Sequence, residues 1–204
     1  MIKKFLILLI VIVLNTNYSF ANKAEKINVA FTIDNNYPIF TLLSINSILK
    51  NNVSNSDYMF YIIENNLTDK NKKKMEKFVK KRNQEIEFIN IDKPLLKNKE
   101  LYVHDHCKHV TEIAMARVYL PEILSNDINK VIYLDADTLV LTDLKELYNE
   151  DLHGFVAGMV LDISGKVDFK NKIFSFKKDY YNSGVILIDL KKAREENSTQ
   201  NFVE

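Results

Sequence analysis

Short runs of apolar and β-branched residues alternate along the chain with longer stretches in which apolar residues recur every three or four positions. Ile27 to Asp34 (INVAFTID) reads as a strand. Pro38 to Lys50 (PIFTLLSINSILK) carries the helical repeat, with Pro38 suited to a first turn, where its missing N–H costs nothing. Tyr58 to Ile63 is a second strand, and Thr68 to Asn83 a helix capped by Thr68 and Asp69. Glu85 to Ile91 is a third strand, followed by a long irregular loop from Asp92 to Lys108. Val110 to Leu124 reads as a helix bent or stopped near Pro121. Lys130 to Leu134, Gly154 to Leu161 and Tyr181 to Leu190 (YNSGVILIDL) complete six strands. The order β-α-β-α-β-α-β predicts an α/β fold, a mostly parallel sheet with helices on both faces. No internal repeat and no Pro-rich or Ser-rich linker divides it.

The first residues break this rhythm. Lys3 and Lys4 precede the apolar run Phe5 to Leu14, then come a polar stretch and Ser19-Phe20-Ala21, small at both cleavage-determining positions. Residues 1–21 are expected to be a secretory signal peptide, with an uncleaved membrane anchor as the alternative. The expected location is therefore exported, periplasmic or secreted, or membrane-anchored. Residues 22–204 are expected to form the one folded domain.

Composition narrows the chemistry. Of 204 residues, 47% are apolar and 27% charged, which supports a packed core rather than disorder. The net charge of +1 carries no nucleic-acid footprint. The single Cys107 excludes an internal disulfide framework. The four glycines are Gly154, Gly158, Gly165 and Gly184, so neither a P-loop nor a GxGxxG turn exists in the N-terminal half. A phosphate-bearing ligand would have to be held another way, for instance through a metal.

Val131-Ile132-Tyr133-Leu134 is the unbroken apolar run of a strand covered on both faces, and it ends in Asp135-Ala136-Asp137. Two carboxylates at i and i+2 of an extended chain point to one side, and such a pair needs a compensating cation. Asp34 ends the first strand in the same way. Ligands of open α/β sheets bind beyond the carboxyl ends of the strands, and carboxylate oxygens suit Mg²⁺ or Mn²⁺. A capping or turn role for the aspartates is the plainer alternative.

Arg117 falls on one helical stripe with Val110, Ile113, Ala114 and Leu120. A guanidinium on an apolar face needs an anion, either a buried carboxylate or a phosphate. His104, His106, Cys107 and His109 resemble a metal cluster but fit no zinc spacing, so a polar binding loop is the better reading. Asn182 and Ser183 precede Gly184 at the start of the last strand, either as turn formers or as donors to a polyhydroxylated ligand. Lys70 to Arg82 holds eight cationic residues and one acid, Glu76. That pattern is a solvated face on an amphipathic helix or, more sharply, a contact with anionic lipid headgroups at a membrane surface.

Four blocks in this order carry a family resemblance: NVAFTIDNNY from Asn28, ARVYL from Ala116, KVIYLDADTLVLTDLKEL from Lys130 and YNSGVILIDL from Tyr181. They resemble glycosyltransferase family 8, the retaining enzymes of GT-A fold, most closely the bacterial lipopolysaccharide galactosyl- and glucosyltransferases. The resemblance implies a nucleotide-diphospho-sugar transferase fold with a mixed, mostly parallel sheet. It implies that Thr32, Asp34 and Asn36 hold the uridine and that Arg117 lies near the nucleotide-sugar. Asp135 and Asp137 match the metal-binding DxD, with Ala136 between them also at the donor. Asp162 matches an aspartate near the donor sugar and acceptor, Asn182 and Ser183 match donor-sugar positions, and His109 a histidine of the acceptor cleft. The implied cofactor is Mn²⁺ or Mg²⁺. The implied partners are a UDP-sugar donor and a glycan or lipopolysaccharide acceptor. The family continues past the last strand seen here, with a histidine that completes the metal site and a glutamine-aspartate pair, so the chain is expected to lack its C-terminal part. An exported location conflicts with a cytoplasmic UDP-sugar pool.

The expected function is metal-dependent transfer of galactose or glucose from a UDP-sugar with retention, with Arg117 and Asp162 at the reacting end. Two alternatives stand beside it. Leu134 to Val140 resembles the strand-DxDxT signature of haloacid-dehalogenase phosphatases, in which Asp135 would be the nucleophile. The other is an inactive, exported nucleotide- or sugar-binding relic.

Overall fold

A computed structural model describes residues 26–91, 112–162 and 181–201. Residues 1–21, the loop with His104, His106, Cys107 and His109, and the start of the predicted helix at Val110 lie outside them. Among the described residues no helix is long and apolar enough to cross a membrane.

Six strands form one sheet in the order β3-β2-β1-β4-β6-β5. They are β1 Ile27–Asp34, β2 Tyr58–Asn65, β3 Glu85–Asn90, β4 Lys130–Leu134, β5 Ala157–Leu161 and β6 Tyr181–Asp189. β1, β2, β3 and β4 run parallel, while β6 is antiparallel to both of its neighbours, β4 and β5. The sheet is therefore mixed and mostly parallel. β1 and β4 are buried along almost their whole length, as expected for strands covered on both faces.

Two apolar layers do the covering. Ile27, Val29, Phe31 and Ile33 of β1 pack with α1 (Pro38–Lys50), α2 (Asp69–Lys80) and Leu144 and Tyr148. Ala30, Val131 and Tyr133 pack on the opposite face with Ile113, Ala116, Tyr119 and Leu120. α2 is amphipathic: it buries Met75 and Val79 and leaves Lys70, Lys73, Lys74, Lys77 and Lys80 exposed. Thr68 caps it, accepting from Asn71 N at 3.4 Å.

The predicted helix around Arg117 is different. Glu112–Tyr119 is a 3₁₀ segment, and the short helix α3, Leu120–Ile123, follows with proline in its first turn. Pro121 has no N–H to offer the Arg117 carbonyl four residues back, so an α-helix cannot run unbroken through both. At three residues per turn, Ile113, Ala116 and Tyr119 share the buried side, and Ala114 and Arg117 share the next. Arg117 thus lies beside the apolar stripe rather than within it.

Other boundaries shift for local reasons. β5 begins at Ala157, because His153 and Gly154 have positive φ and no strand accommodates them. Two short helices, α4 (Leu144–Tyr148) and α5 (Leu190–Glu195), have too few turns to show a period. Each is capped by an aspartate: Asp143 accepts from Lys145 N and Asp189 from Lys192 N, both at 2.9 Å. From α5, Arg194 donates to the carbonyls of Pro121, Leu124, Ser125 and Ile128, tying the C-terminal end to the segment that carries Arg117.

Candidate active site

The chain leaves β1 toward β2 on one side and returns to β4 on the other. Such a reversal opens a crevice at the carboxyl ends of the two strands. A cleft of about 210 Å³ lies there, lined by Thr32, Asp34, Tyr37, Arg117, Tyr133, Asp135, Ala136 and Asp137, among others. An adjoining groove is lined by Asp34, Asn36, Tyr37, Phe40 and Asp137.

Asp135-Ala136-Asp137 is a turn and not the extended segment that the i, i+2 argument assumed. Thr138 N closes it on the Asp135 carbonyl at 3.0 Å. Ala136 turns into the core under the cleft, Asp135 is half-buried and Asp137 is exposed. The two carboxylates still border one cavity, because the turn bends around the small buried residue between them.

Asp135 is held from several sides. Its N–H donates to the Gly184 carbonyl at 2.8 Å, continuing the β4–β6 ladder. Its Oδ1 accepts from Tyr133 OH at 2.6 Å and from Arg117 Nη1 at 3.1 Å. Its Oδ2 sits so close to β6 that a Cβ on Gly184 would meet it at 2.8 Å. A side chain at this position would push the Asp135 carboxylate out of place, and Asn182 Oδ1 accepts from the same residue's N–H at 2.8 Å.

Arg117 answers its own anion question in part. Its Nη1 pairs with Asp135 and also donates to Ser183 O at 2.8 Å and Ser183 Oγ at 3.3 Å, while Nε donates to Ala114 O at 2.7 Å. Among the described residues Nη2 donates to nothing, so the guanidinium keeps donors for a second anion in the cleft.

Tyr133 is the residue that pattern reading assigned to the core alone. Its hydroxyl, buried between strands, lies 3.0 Å from Thr32 Oγ1 and donates to Asp135. Having given its one proton to Asp135, it accepts from Thr32. Its ring lies 5.0 Å from the Arg117 guanidinium carbon, within cation–π range. Burial pushes its pKa well above the ordinary tyrosine value; Arg117 opposes that rise and Asp135 adds to it. The phenol therefore stays a donor. A signal did exist: Tyr133 and Asp135 are two residues apart at the end of one strand, hence on one face.

Asp34 closes its own turn. Its Oδ1 accepts from Asn36 N at 2.8 Å and Oδ2 from Asn36 Nδ2 at 3.3 Å, and its carbonyl accepts from Tyr37 N. Thr32, Asp34, Arg117, Asp135, Ala136 and Asp137 thus share one cleft, Asn36 borders its groove, and Asn182 and Ser183 reach it through Gly184 and Arg117. Asp162 follows the end of β5 and is not among the residues lining the cleft. His109 lies outside the described residues.

A hard divalent cation fits this donor set. Asp135 Oδ2 accepts no hydrogen bond among the described residues, nor does the Asp137 carboxylate, and both border the cleft. Among those residues no third His, Cys, Asp or Glu joins them. Two carboxylates with water and phosphate oxygens suffice for Mg²⁺-like binding.

Comparison with known proteins agrees with this architecture. The chain is 27% identical over 183 residues to General stress protein A of Bacillus subtilis, covering 89% of this chain and 62% of that protein. It is 31% identical over 178 residues to the lipopolysaccharide 1,2-glucosyltransferase of Escherichia coli K12, covering 84% of this chain and 50% of that one. The galactosyltransferase LgtC, solved with donor and acceptor sugar analogues, superposes with a TM-score of 0.71 at 22% identity, over 87% of this chain and 65% of that one. That likeness shows the GT-A fold. The chain thus spans about half to two-thirds of the length of these relatives. The strand-DxDxT resemblance to phosphatases is set aside, since the motif sits on the fourth strand and the family match runs through it. The profile of glycosyl transferase family 8 matches residues 28–204, and the chain belongs to that family.

Proposed function

We propose that this chain moves a hexose, glucose or galactose, from a UDP-sugar to a glycan or lipopolysaccharide acceptor with retention of configuration, using Mn²⁺ or Mg²⁺ at Asp135 and Asp137. One observation carries the reading: Asp135, Asp137, Arg117 and Asp34 converge on a single cleft at the carboxyl ends of β1 and β4. Carboxylates alone would repel a diphosphate, and a guanidinium alone would not explain two open carboxylates. Both are accounted for when a cation and a diphosphate share the cleft.

The cation, when bound, would supply a Lewis acid for the departing diphosphate. The rest falls to the chain. Arg117 offers Nη2 to a phosphate oxygen while its other nitrogens stay fixed on Asp135, Ser183 and Ala114, so little reorganisation is needed as charge grows. Tyr133 holds one oxygen of Asp135, and the other accepts no hydrogen bond among the described residues and is left for the cation. Thr32, Asp34 and Asn36 flank the nucleoside, and Asn182 and Ser183 face the hexose. Asp162 attends the sugar and acceptor in this reading. The exposed lysines of α2 supply a contact with anionic headgroups, as a lipid-linked acceptor would favour.

The test is UDP release from UDP-glucose and UDP-galactose by the purified chain, with Mn²⁺ or with chelator, and with p-nitrophenyl phosphate as a phosphomonoester control. Metal-dependent UDP release with the product anomer retained is expected. Failure to bind UDP in Mn²⁺, or turnover of the phosphomonoester alone, overturns the reading. Binding without turnover supports a nucleotide-binding module instead.

A further inference from the structure

Glu64 is an ionisable side chain with no exposed surface, at the carboxyl end of β2, one strand away from the cleft. A buried carboxylate is costly unless its oxygens are satisfied. Oε1 accepts from Lys72 Nζ at 2.6 Å and Asn90 Nδ2 at 2.9 Å, and Oε2 accepts from Leu67 N at 2.7 Å. Burial raises its pKa, but Lys72, the Leu67 N–H and Asn90 together outweigh that and hold the carboxyl below its usual range. The group is thus an ionised knot joining β2, the β2–α2 connection, α2 and β3.

What the knot holds is the connection from Asn65 to Thr68. Asn66 within it has a φ of 58°, a left-handed conformation that asparagine tolerates and that needs support. The connection in turn grips Asn35: Thr68 N donates to Asn35 Oδ1 at 3.1 Å, and Asn71 Nδ2 donates to the same oxygen at 2.9 Å. Asn35 is the tip of the turn from Asp34 to Tyr37. Among the described residues its side chain makes the turn's only hydrogen bonds to the β2–α2 connection and α2, while Thr41 Oγ1 of α1 donates to the Tyr37 carbonyl at the turn's far end at 2.9 Å. Its neighbours Asp34, Asn36 and Tyr37 border the cleft and groove.

We infer that Glu64 and Asn35 form a positioning relay for the nucleoside end of the site: Glu64 fixes the β2–α2 connection, and the connection fixes Asn35 and the turn that presents Asp34 and Asn36. Neither residue touches the ligand. The ligand half of this inference rests on the proposed binding of a uridine diphosphate; the ordering of the turn does not.

Two readouts keep these apart. Amide hydrogen exchange by NMR reports the Asn36 and Tyr37 N–H groups, both bonded to Asp34. UDP affinity in Mn²⁺, by titration calorimetry, reports the site. Asn35→Ala changes an exposed residue and is expected to fold normally, to speed exchange at both amides, and to raise the UDP Kd about five- to tenfold, the worth of one or two net hydrogen bonds. Glu64→Gln is expected to do the same, and the double variant to be no weaker than the worse single, because the two act in series. Should Glu64→Gln fail to fold, Lys72→Met takes its place in the cycle. Unchanged exchange at Asn36 and Tyr37 in the folded variants overturns the relay, as does a double variant whose losses add. A wild-type chain that binds no UDP while the exchange pattern holds overturns the proposed function and leaves the relay standing.

Discussion

The phenol of Tyr133 donates a 2.6 Å hydrogen bond to Oδ1 of Asp135, from the preceding inward position of the same strand end. It fixes which oxygen of the first DxD carboxylate is held by Tyr133 and Arg117 and which accepts no hydrogen bond among the described residues. Tyr133→Phe keeps the ring and removes only this bond and the acceptor for Thr32. A loss of about 1.5–3 kcal/mol is expected, as for a hydrogen bond to a charged group. Urea unfolding measures it, and UDP affinity in Mn²⁺ should fall with it. Unchanged stability and affinity would leave Tyr133 a packing residue.

Asp137 is exposed and has no hydrogen-bond partner among the described residues. Asp137→Asn should therefore alter stability by no more than about 0.5 kcal/mol, as is usual at such sites. UDP with Mn²⁺ should raise the melting temperature of the wild-type chain by mass action, and chelator should remove most of that rise. In the variant the shifts with and without metal should coincide. A full metal-dependent shift in Asp137→Asn takes Asp137 out of the metal site.

Arg117 ties three elements together and also faces the cleft. Arg117→Met removes the charged donor to Asp135, which keeps the Tyr133 hydroxyl, and the donors to the Ser183 and Ala114 carbonyls, at an expected cost of about 1.5–3 kcal/mol. Asp135 is partly solvated, which keeps the cost below that of breaking a fully buried pair. The folded variant should bind UDP at least about tenfold more weakly, as loss of a charge-assisted phosphate contact implies. Normal affinity in a destabilised variant would make Arg117 structural only.

Glu64 sets an acid limit. Its folded pKa lies below the ordinary glutamate value, so the unfolded chain takes up the proton first as pH falls. The knot's contribution is complete above the unfolded value of 4.5 and is lost as pH falls through the folded value. Between about pH 6 and about pH 3 the urea midpoints of wild type and Glu64→Gln should converge. A gap that stays constant over that range would show that Glu64 is not ionised in the fold. Asp143, similarly depressed by N–H donors from Lys145 and Ser54 against the cost of burial, adds to the general acid sensitivity of both proteins.

The periodicity of apolar residues was enough to place β1, α1 and β4 at the bounds the fold adopts, and to set Asp34 and Asp135 at strand ends. Those features depend on neighbours in sequence: a β-branched run extends, a three-and-four repeat coils, and a carboxylate after a buried strand stops it. The resemblance blocks named the family for the same reason, since each is a contiguous string. Three other features were invisible along the chain. The 3₁₀ winding at Arg117 answers to Pro121 and to packing against β1, and helical periodicity cannot separate three residues per turn from 3.6 over eight positions. The antiparallel β6 beside β4 decides that Gly184 meets Asp135, a contact between residues 49 apart. Likewise Glu64 reads locally as a carboxylate at a strand end, the same signal as Asp34. Only the sheet order, with β2 away from the β1–β4 crevice, makes one a buried knot and the other part of the cleft. Strand neighbours are chosen by the burial of whole faces, and that choice exists only once the sheet has formed.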